Sequence, residues 1–460
     1  MFLQRYYLAC LSHASYMVAD DRTRLAAVVD PRRDIDIYLK EAEEHGFLIR
    51  HVILTHFHAD FVAGHIELRD KVGARISIGA RAEAEFDFSP LTDGSGIELG
   101  DVRLEAMETP GHTPEGISLL VYDDQKDPDR PHAVLTGDTL FLGDVGRPDL
   151  LASIGVTAEE LAEMLYHSLH HKLLKLPGTT LVYPAHGSGS MCGKALSDEA
   201  VSTLDKQRRY NYALQPMPKE AFVKMMVADQ PEAPAYFAHD AMMNRINRPV
   251  LEETIETSMK GLDLDPILDL RSSGAQLVDV RPANDFAAGH LNGAVNIGID
   301  GRYATWAGSL LDKERPIVII AQMEHVGGAI MRLGRIGFHN VVGYLKEGMR
   351  ALQDRPDCLV RTQRMTAAEL MESEENISII DVRTLNEWEG GHIAGSLNMP
   401  LNQLSKRIAE VPKSGRLVVH CQGGYRSMIA VSLLERKGWS NIIDLIGGYE
   451  AWTASKGHAS

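Results

Sequence analysis

The sequence has few basic residues for its length, and its charge balance is acidic. Its 460 residues include 47 Lys and Arg against 63 Asp and Glu, which gives a formal net charge of −16. A protein that binds nucleic acid or an anionic membrane ordinarily carries a basic surface. The deficit of positive charge therefore argues against both kinds of partner.

Long apolar runs are also missing. No stretch approaches the roughly 18 consecutive apolar residues that a membrane-spanning helix needs. The first ten residues end in Leu8-Ala9-Cys10, which resembles a lipoprotein cleavage site, but Gln4 and Arg5 interrupt them. No apolar core of about 7–15 residues precedes the cysteine, as an export signal would require. We therefore predict that this segment is the first strand of the fold and that the protein is cytoplasmic.

Cysteine is scarce, with four in the whole chain. Cys10, Cys192, Cys358 and Cys421 lie far apart, in the spacing of neither a metal site nor a disulfide framework. Without an export signal, reduced thiols in a cytosol are expected. The length suggests two to four domains, and a hydrophobic content of 44% with 24% charged residues is typical of a globular protein.

Histidine and aspartate follow the ends of predicted strands in the N-terminal half. The segment Thr55 to His65 reads Thr-His-Phe-His-Ala-Asp-Phe-Val-Ala-Gly-His and comes directly after an apolar, β-branched run. Three later strands lead into His112, Asp138 and His186. Imidazole and carboxylate groups bind divalent metals. Any one of these residues alone would more often be structural, but four such strand ends in order predict a metal site.

This pattern closely resembles the metallo-β-lactamase superfamily over about residues 1–215. The resemblance implies an αββα sandwich with its metal site along one edge of the sheets. Many members with two metals have a histidine directly after the motif aspartate, where this chain has Phe61. A phenyl ring cannot bind a metal, so the second metal position loses a donor. This departure argues for one metal and against a di-zinc hydrolase of the glyoxalase II type.

Several motifs resemble the persulfide dioxygenase branch of that superfamily. The resemblance implies one Fe(II) per chain, held by two histidines and one aspartate, which by motif position are His56, His112 and Asp138. Such a set leaves three coordination positions for O₂ and substrate, as in non-haem iron oxygenases. The motifs that carry the resemblance are Thr55 to Asp60, Pro110 to Pro114, Gly137-Asp138 and Gly146 to Asp149.

Five further residues are candidates for supporting roles at this site. By the resemblance, His58, Asp60 and His186 orient the metal ligands or hold water. Arg147 is a candidate for steadying an anionic substrate, and a surface arginine on a loop is the equal alternative. Cys192, in a loop of small residues just after His186, could present a thiol to a persulfide. The alternative for this cysteine is a buried structural role.

The last 200 or so residues contain an internal repeat. Leu277 to Arg281 (Leu-Val-Asp-Val-Arg) recurs as Ile379 to Arg383, and Gly289 to Asn296 recurs as Gly391 to Asn398. A period near 100 residues is too long for a solenoid and indicates two duplicated domains. Each copy alternates strand and helix, as a parallel doubly wound sheet does. We place the domain boundaries at 1–215, 216–260 (a helical connector), 261–356 and 364–460.

A cysteine loop follows a strand in the second copy. The loop reads Cys421-Gln-Gly-Gly-Tyr-Arg-Ser427, and a helix is predicted directly after it. Backbone N–H groups converge in such a loop, and the helix dipole favours negative charge there. A thiolate at this position is stabilised and nucleophilic. The sequence therefore predicts an anion-binding cradle around a reactive cysteine.

This loop, with the Asp-Val-Arg and Gly-His-Ile motifs before it, resembles the rhodanese family over about residues 364–458. The resemblance implies that Cys421 carries the transferred sulfur as a persulfide and that Arg426 helps bind the sulfur anion. Asp381 and Arg383 are expected to form a structural ion pair. The remaining residues of the persulfide loop are Gln422, Gly423, Gly424, Tyr425 and Ser427.

The first copy has lost this chemistry. Ala321 stands where the second copy has its cysteine, and the arginine of the loop is missing as well. The fold resemblance remains, and the expected role of this domain is packing or positioning.

The fold class is thus a multidomain α/β protein, an αββα sandwich followed by two doubly wound domains. The arrangement resembles the bacterial persulfide dioxygenase–rhodanese fusions of sulfide detoxification. It implies oxidation of a low-molecular-weight thiol persulfide by O₂ to sulfite and thiol, with sulfur passing between persulfide, sulfite and thiosulfate on Cys421. A glyoxalase-type thiolester hydrolase and a non-catalytic sulfur carrier are the alternatives. The identity of the thiol and the state of oligomerisation are left open.

Overall fold

The computed structural model describes residues 1–150, 155–193, 196–228, 230, 232–373 and 377–456. The chain forms two compact units. The first comprises Met1–Glu253 with Gly334–Gly337, and the second comprises Thr254–Leu333 with Phe338–Ser460. Among the described residues, none of the helices has the length and apolar character needed to cross a membrane.

Two six-stranded sheets form the centre of the first unit. One sheet has the strands in sequence order, and the other has the order β12-β11-β10-β9-β8-β7. The strands of the first sheet are β1 (Phe2–Leu8), β2 (His13–Ala19), β3 (Leu25–Val29), β4 (Leu48–Ile53), β5 (Arg75–Gly79) and β6 (Ser89–Leu91). Those of the second are β7 (Gly96–Glu98), β8 (Val102–Glu108), β9 (Ile117–Asp123), β10 (Ala133–Gly137), β11 (Leu181–Pro184) and β12 (Ser202–Thr203).

The packing of the sheets confirms the predicted αββα sandwich. Strand β9 is buried along its whole length. Its alternate side chains point to opposite faces of the sheet, and both faces are covered by other parts of the domain. Leu119 and Val121 join the core between the sheets, where they meet residues of β2 and β3 such as Val18 and Val29. Leu120 points to the other face, into a second core that includes side chains of the outer helices. An uninterrupted apolar run is what a strand buried on both faces requires.

Helices cover the outer faces of this sandwich. In α3 the first turn is capped by Thr157, whose hydroxyl accepts a hydrogen bond from the Glu160 backbone while the Glu160 carboxylate binds back to Thr157. The helical spacing of residues 157–174 is matched by helical structure throughout, because α3 continues directly as a π-helix (Ser168–Lys172) and a 3₁₀ turn (Leu173–Lys175). The helices are α1 (Asp36–His45), α2 (His65–Val72), α3 (Ala158–His167), α4 (Leu204–Tyr210), α5 (Lys219–Val227), α6 (Phe237–Met243) and α7 (Leu251–Ser258).

The segment predicted as a connector, 216–260, contributes helices α5, α6 and α7. Phe222 and Met226 of α5 are buried in the same core as Leu165 of α3. Most of this segment, up to Glu253, falls within the first compact unit. The stretch is therefore part of a packed domain over most of its length.

Strand direction brings the predicted metal-binding motifs to one edge of the second sheet. Strands β8 and β10 are both antiparallel to β9, and β11 is parallel to β10. The carboxyl ends of β8, β10 and β11 therefore lie at the same edge, and each leads into a histidine or aspartate of the motifs. Strand β9 runs the opposite way, which is why it carries none.

The second unit contains two five-stranded sheets of the same design, beside a short antiparallel pair formed by residues 290–291 and 359–360. Their strand orders are β13-β18-β17-β14-β16 and β20-β24-β23-β21-β22, and all neighbouring strands in both are parallel. The shared order confirms the predicted pair of doubly wound domains. The first copy has β13 (Gly261–Leu262), β14 (Gln276–Asp279), β15 (His290–Leu291), β16 (Val295–Asn296), β17 (Ile317–Ile320), β18 (Val341–Leu345) and β19 (Leu359–Val360), with α8 (Leu264–Ser272), α9 (Ala283–Ala288), α10 (Tyr303–Leu310) and α11 (Met323–Gly334). The second has β20 (Gln363–Met365), β21 (Ile377–Asp381), β22 (Leu397–Asn398), β23 (Arg416–His420) and β24 (Ile442–Leu445), with α12 (Ala367–Glu372), α13 (Leu385–Glu389), α14 (Tyr425–Arg436) and α15 (Gly448–Lys456).

Candidate functional site

Two histidines and one aspartate converge at the edge of the sandwich. His56 follows β4, His112 lies in the loop after β8, and Asp138 follows β10. The Asp138 Oδ2 atom is 3.8 Å from His56 Nε2 and 3.5 Å from His112 Nε2. All three side chains are buried, and their ligand atoms lie within 4.8 Å of one another. The structure thus brings together the three residues that the resemblance assigned to one metal.

Hydrogen bonds orient both imidazoles so that Nε2 faces the aspartate. His112 Nδ1 donates to the Arg147 carbonyl at 2.8 Å. His56 Nδ1 lies 3.0 Å from the Thr55 hydroxyl, which itself donates to the Asp30 carboxylate at 2.8 Å. A second partner that takes the Nδ1 proton leaves Nε2 unprotonated and free to bind a metal.

The electrostatics of the site favour a bound cation. Burial lowers the pKa of His112 to about 4 and that of His56 well below its usual value, so both imidazoles are neutral. Burial also raises the pKa of Asp138 to about 6, and among the described residues its buried oxygens have no hydrogen-bond donor other than the weak Cys192 thiol. A buried carboxylate with so little hydrogen bonding is costly unless a positive charge compensates it. The donor set therefore fits a divalent metal.

A second group of metal-type ligands adjoins the first. His58, Asp60 and His186 are buried with their ligand atoms within 4.8 Å of one another. His186 Nε2 lies 3.6 Å from Asp60 Oδ2 and 3.5 Å from Asp138 Oδ1, so this group shares an edge with the triad. Phe61 is buried beside it, with its ring 4.4 Å from that of His58. The phenyl ring occupies space at this second group and offers no donor.

Cys192 also faces the triad. Its thiol lies within 4.8 Å of ligand atoms of Asp138 and His186, and the residue is 1% exposed. Burial, followed by the Asp60 and Asp138 carboxylates, raises the pKa of the Cys192 thiol well above its usual value. A thiol held in the protonated form is a weak nucleophile.

Arg147 is buried, so the alternative interpretation of it as a surface arginine on a loop does not hold. It is 1% exposed, and its guanidinium forms two hydrogen bonds of 2.7 and 2.6 Å with the Asp149 carboxylate. Its carbonyl orients His112, and its N–H donates to the Cys192 carbonyl at 3.1 Å. These contacts make Arg147 a support for two residues at the site, and contact with a substrate stays a prediction.

Three residues near the metal-binding groups were missed by sequence reasoning. Asn244, which follows α6, donates to the carbonyls of His58 and Phe61 at 2.8 Å each and accepts from the Ala63 N–H at 2.8 Å. The side-chain amide of Asn244 therefore holds the loop that carries Asp60 through three hydrogen bonds. Nothing in the local sequence around Asn244 signals this contact, because its partners are more than 180 residues away.

Asp30 and His13 are the other two. Asp30 binds the Thr55 N–H and hydroxyl, lies 3.1 Å from His58 Nε2, and has a φ of +49°. His13 is buried, with its ring 4.0 Å from that of Phe61. The Asp-Pro that ends β3 was a visible signal for Asp30, since an aspartate tolerates this backbone conformation; His13 had none.

The predicted cysteine loop lies between β23 and α14. Cys421 is 1% exposed, and the Gly424 N–H donates to its sulfur at 3.1 Å. Gly424 caps the helix with a φ of +102°, a conformation that glycine adopts without strain. The sulfur therefore sits at the amino end of a 12-residue helix, where the dipole favours a thiolate.

Ion pairs and hydrogen bonds fix the surroundings of the loop. Arg426 forms two hydrogen bonds of 2.7 Å with Glu387, and Ser427 donates to Asp444 at 2.6 Å. The Arg426 side chain thus belongs to the loop but is already paired. The predicted ion pair between Asp381 and Arg383 is confirmed, with its shortest N–O distance 2.6 Å. Arg383 also reaches Gln422 Oε1 at 3.3 Å, while a Cβ on Gly423 would meet open space.

The equivalent position of the first copy is hollow. A cavity of about 770 Å³ is lined by Ala321 and Gln322 and by the side chains of Arg281, Val326 and Glu347. Ala321 offers no nucleophile, and Val326 occupies the place in the loop that Arg426 has in the second copy. This domain therefore has a cavity at the loop but lacks the reactive groups of the second copy.

Known families match both halves of the chain. The metallo-beta-lactamase superfamily matches residues 9–186, and the rhodanese-like domain matches residues 264–355 and 365–455. These three segments agree with the αββα sandwich and the two doubly wound domains described above.

Individual relatives divide between two activities. The chain is 32% identical over 219 residues to persulfide dioxygenase ETHE1 of Bos taurus, covering 46% of this chain and 75% of the relative. It is 34% identical over 184 residues to a cytoplasmic hydroxyacylglutathione hydrolase of Arabidopsis thaliana, covering 39% of this chain and 66% of the relative. A metallo-beta-lactamase crystal structure from Staphylococcus aureus superposes with a TM-score of 0.67 at 29% identity, covering 75% of this chain and 98% of that one.

Proposed function

We propose, since the chain belongs to the persulfide dioxygenases of the metallo-β-lactamase superfamily and carries two rhodanese-like domains, that it oxidises a low-molecular-weight thiol persulfide with O₂. One persulfide, one O₂ and one water give the thiol, sulfite and two protons. The two sulfur atoms together lose the four electrons that O₂ gains. The observation that carries the proposal is the buried triad of His56, His112 and Asp138, whose carboxylate has no hydrogen-bond donor among the described residues other than the Cys192 thiol.

We assign the triad to one Fe(II) per chain. Two neutral imidazoles and one carboxylate are the donor set of non-haem iron oxygenases, and iron bound there supplies open coordination positions for O₂ and the persulfide sulfur. The protein's own part is to keep both imidazoles unprotonated at Nε2 through the Arg147 carbonyl and Thr55. His58, Asp60 and His186 support the ligands from the adjoining group.

We assign sulfur transfer to Cys421. A persulfide anion on its sulfur passes the outer sulfur to sulfite, so that the sulfur–sulfur bond to Cys421 breaks, the bond to sulfite forms, and thiosulfate leaves. The Cys421 thiolate is the leaving group. The Gly424 N–H at 3.1 Å and the amino end of α14 support this role, because both stabilise negative charge on the sulfur.

A role for Cys192 as a persulfide acceptor has less support than the role that we assign to Cys421. Its thiol lies among the metal-type ligands, which favours contact with a sulfur substrate. Its raised pKa disfavours attack as a thiolate in the absence of a cation. We therefore assign Cys192 to the wall of the pocket and the sulfur-transfer step to Cys421.

A thiolester hydrolase is the second candidate. The group of His58, Asp60 and His186 would hold a second metal if Phe61 did not crowd it, and hydroxyacylglutathione hydrolases are among the relatives. A non-catalytic sulfur carrier, the third reading from sequence, would leave the buried triad without a use.

One assay separates these readings. The full chain, purified without oxygen and loaded with Fe(II), is given either a thiol persulfide or an S-acyl thiol, and O₂ uptake and free thiol are recorded. We expect O₂ uptake only with the persulfide, and its loss in His112→Ala but not in His45→Ala, which changes an exposed histidine away from the triad. Release of thiol from the S-acyl compound without O₂ uptake from the persulfide would favour the hydrolase.

A further inference from the structure

The side chain of Tyr425 leaves the cysteine loop and binds the other rhodanese-like domain. Tyr425 follows Gly424, whose N–H points at the Cys421 sulfur. Its hydroxyl donates to the Gly298 carbonyl at 2.8 Å, across a sequence separation of 127 residues. The residue that begins α14 beside the reactive sulfur is therefore anchored outside its own domain.

The anchoring point is a fitted socket in the first domain. The socket is the loop Gly298–Gly301, and a Cβ added at Gly301 would come within 2.3 and 2.4 Å of the Tyr425 ring. Only a residue without a side chain leaves room for the ring there. Arg332 holds the loop in turn, with its Nη1 bound to the Ile299 carbonyl and its Nη2 3.1 Å from the Gly301 carbonyl.

Farther along its length, α14 makes further contacts with the first rhodanese-like domain. The Asn296 N–H donates to the Ser432 hydroxyl at 3.0 Å. Met428 is fully buried among core residues of the first domain, including Leu277 and Val318. The helix that carries the reactive loop is thus packed into the first domain at three places along its length.

We propose that the first rhodanese-like domain, which has no nucleophile, positions the Cys421 loop through Tyr425. The loop contains Gly423 and Gly424, and an unanchored glycine loop would lose its anion-binding shape for much of the time. When Tyr425 is held in place, the N–H of Gly424 directly before it keeps its hydrogen bond to the Cys421 sulfur. Tyr425 is then a positioning residue for sulfur transfer, and this role rests on the proposed function of Cys421.

The reactivity of Cys421 toward an alkylating reagent reports on this geometry. The Gly424 N–H and the helix end stabilise negative charge on the sulfur, so losing their alignment should slow alkylation. Charged and titratable groups also surround the loop from five elements, and none of them is changed by the variants below. They are Arg426 of α14, Glu387 of α13, Asp381 at the end of β21 with Arg383 just after it, His420 of β23 and Asp444 of β24.

The test uses the full chain with Gly301→Ala, which alters the socket and leaves the active domain unchanged. The rate of Cys421 alkylation at neutral pH is followed by mass spectrometry of its peptide, and thiosulfate-to-thiol sulfur transfer is measured in parallel. We expect slower alkylation of Cys421 and a fall in kcat of about tenfold, because misplacement of a catalytic group lowers the rate. Gly328→Ala is the matched control, because its Cβ would meet only Ile299 at 3.8 Å.

A second variant covers the case in which Gly301→Ala fails to fold. Tyr425→Phe keeps the ring and removes the bond to Gly298, and we expect the same two changes at smaller size. Trp439→Phe removes a comparable bond to a backbone carbonyl in the same domain and should change neither. Wild-type alkylation and transfer in both the Gly301 and Tyr425 variants would overturn the inference. A wild-type chain that transfers no sulfur, while Cys421 alkylation is still slowed in the variants, would instead refute the function of Cys421 alone.

Discussion

At the scale of single residues, the loop that carries His58 and Asp60 depends on one distant amide. Asn244 satisfies two carbonyls and one N–H of that loop, and all of these groups are buried. A buried polar backbone group that loses its partner is costly, and the loop would relax to find another. The precision of the metal site is therefore set partly by a residue outside it.

We predict that Asn244→Ala weakens both the fold and the metal site. Loss of the three bonds should lower the free energy of unfolding by about 3 kcal/mol and metal affinity by roughly tenfold. Thermal denaturation and a competition titration with a chelator measure the two effects. Asn247→Ala is the matched control, since Asn247 makes exposed contacts with Arg69 and Glu85. Equal metal affinity in both variants would refute the role given to Asn244.

We expect Phe61 to limit the number of metal ions that the chain binds. Its ring lies at the group of His58, Asp60 and His186 and offers no donor. We predict that Phe61→His raises the metal content of the purified chain from one ion to two, whereas Phe61→Leu leaves it at one. Metal analysis of the two variants beside wild type decides the matter. Two ions in the wild-type or Leu chain would show that the phenyl ring does not limit the site.

At the scale of elements, strand ends were the most readable feature of the sequence. The strands predicted before Thr55, His112, Asp138 and His186 are present as β4, β8, β10 and β11. Because a turn directly after a strand has a fixed position at the sheet edge, His56, His112 and Asp138 could be placed together from sequence. The cysteine loop was readable for the same reason, between β23 and α14.

Elements whose role depends on distant contacts were not readable. The helical spacing of residues 157–174 does not reveal that the α-helix changes to a π-helix at Ser168–Lys172. Its Ser168 hydroxyl bonds to the Pro110 carbonyl at 2.7 Å, in the loop of His112. Asn244 and the Tyr425 socket were missed likewise, because hydrogen bonds between segments far apart in sequence leave no local pattern.

The two rhodanese-like copies differ in more than the nucleophile. Restoring a thiol at Ala321 would still leave Val326 where the active copy has Arg426, and no glycine at the position of Gly424. We predict that the double variant Ala321→Cys, Cys421→Ser has no thiosulfate-to-thiol transfer above that of Cys421→Ser. A standard transfer assay at equal protein concentration measures this. Recovery of wild-type rates would mean that the cysteine alone was missing.

At the scale of the whole molecule, the question is why the two activities share a chain. In the proposed function, sulfite released at the triad would be an acceptor for the sulfur carried by Cys421. Tethering raises the effective concentration of one centre's product at the other when the linkage permits it. Neither step needs the other's residues, so separate variants should each lose one activity and keep the other.

We predict that full-length His56→Ala and Cys421→Ser chains cannot replace the wild type when they are mixed at low concentration. Cys421→Ser should consume O₂ and release sulfite, and His56→Ala should transfer sulfur without consuming O₂. The measured quantity is the ratio of thiosulfate to sulfite formed from thiol persulfide. If the mixture matches wild type at every dilution, tethering contributes nothing and the coupling should be abandoned.

The most direct test of the account is the metal content of the active wild-type chain. Protein purified without oxygen is analysed for metals, and its O₂ uptake with a thiol persulfide is measured on the same samples over a range of metal loading. We predict one iron per chain at full loading and O₂ uptake in proportion to iron. Active protein with two zinc ions per chain, or O₂ uptake independent of iron, would contradict a mononuclear iron centre at His56, His112 and Asp138.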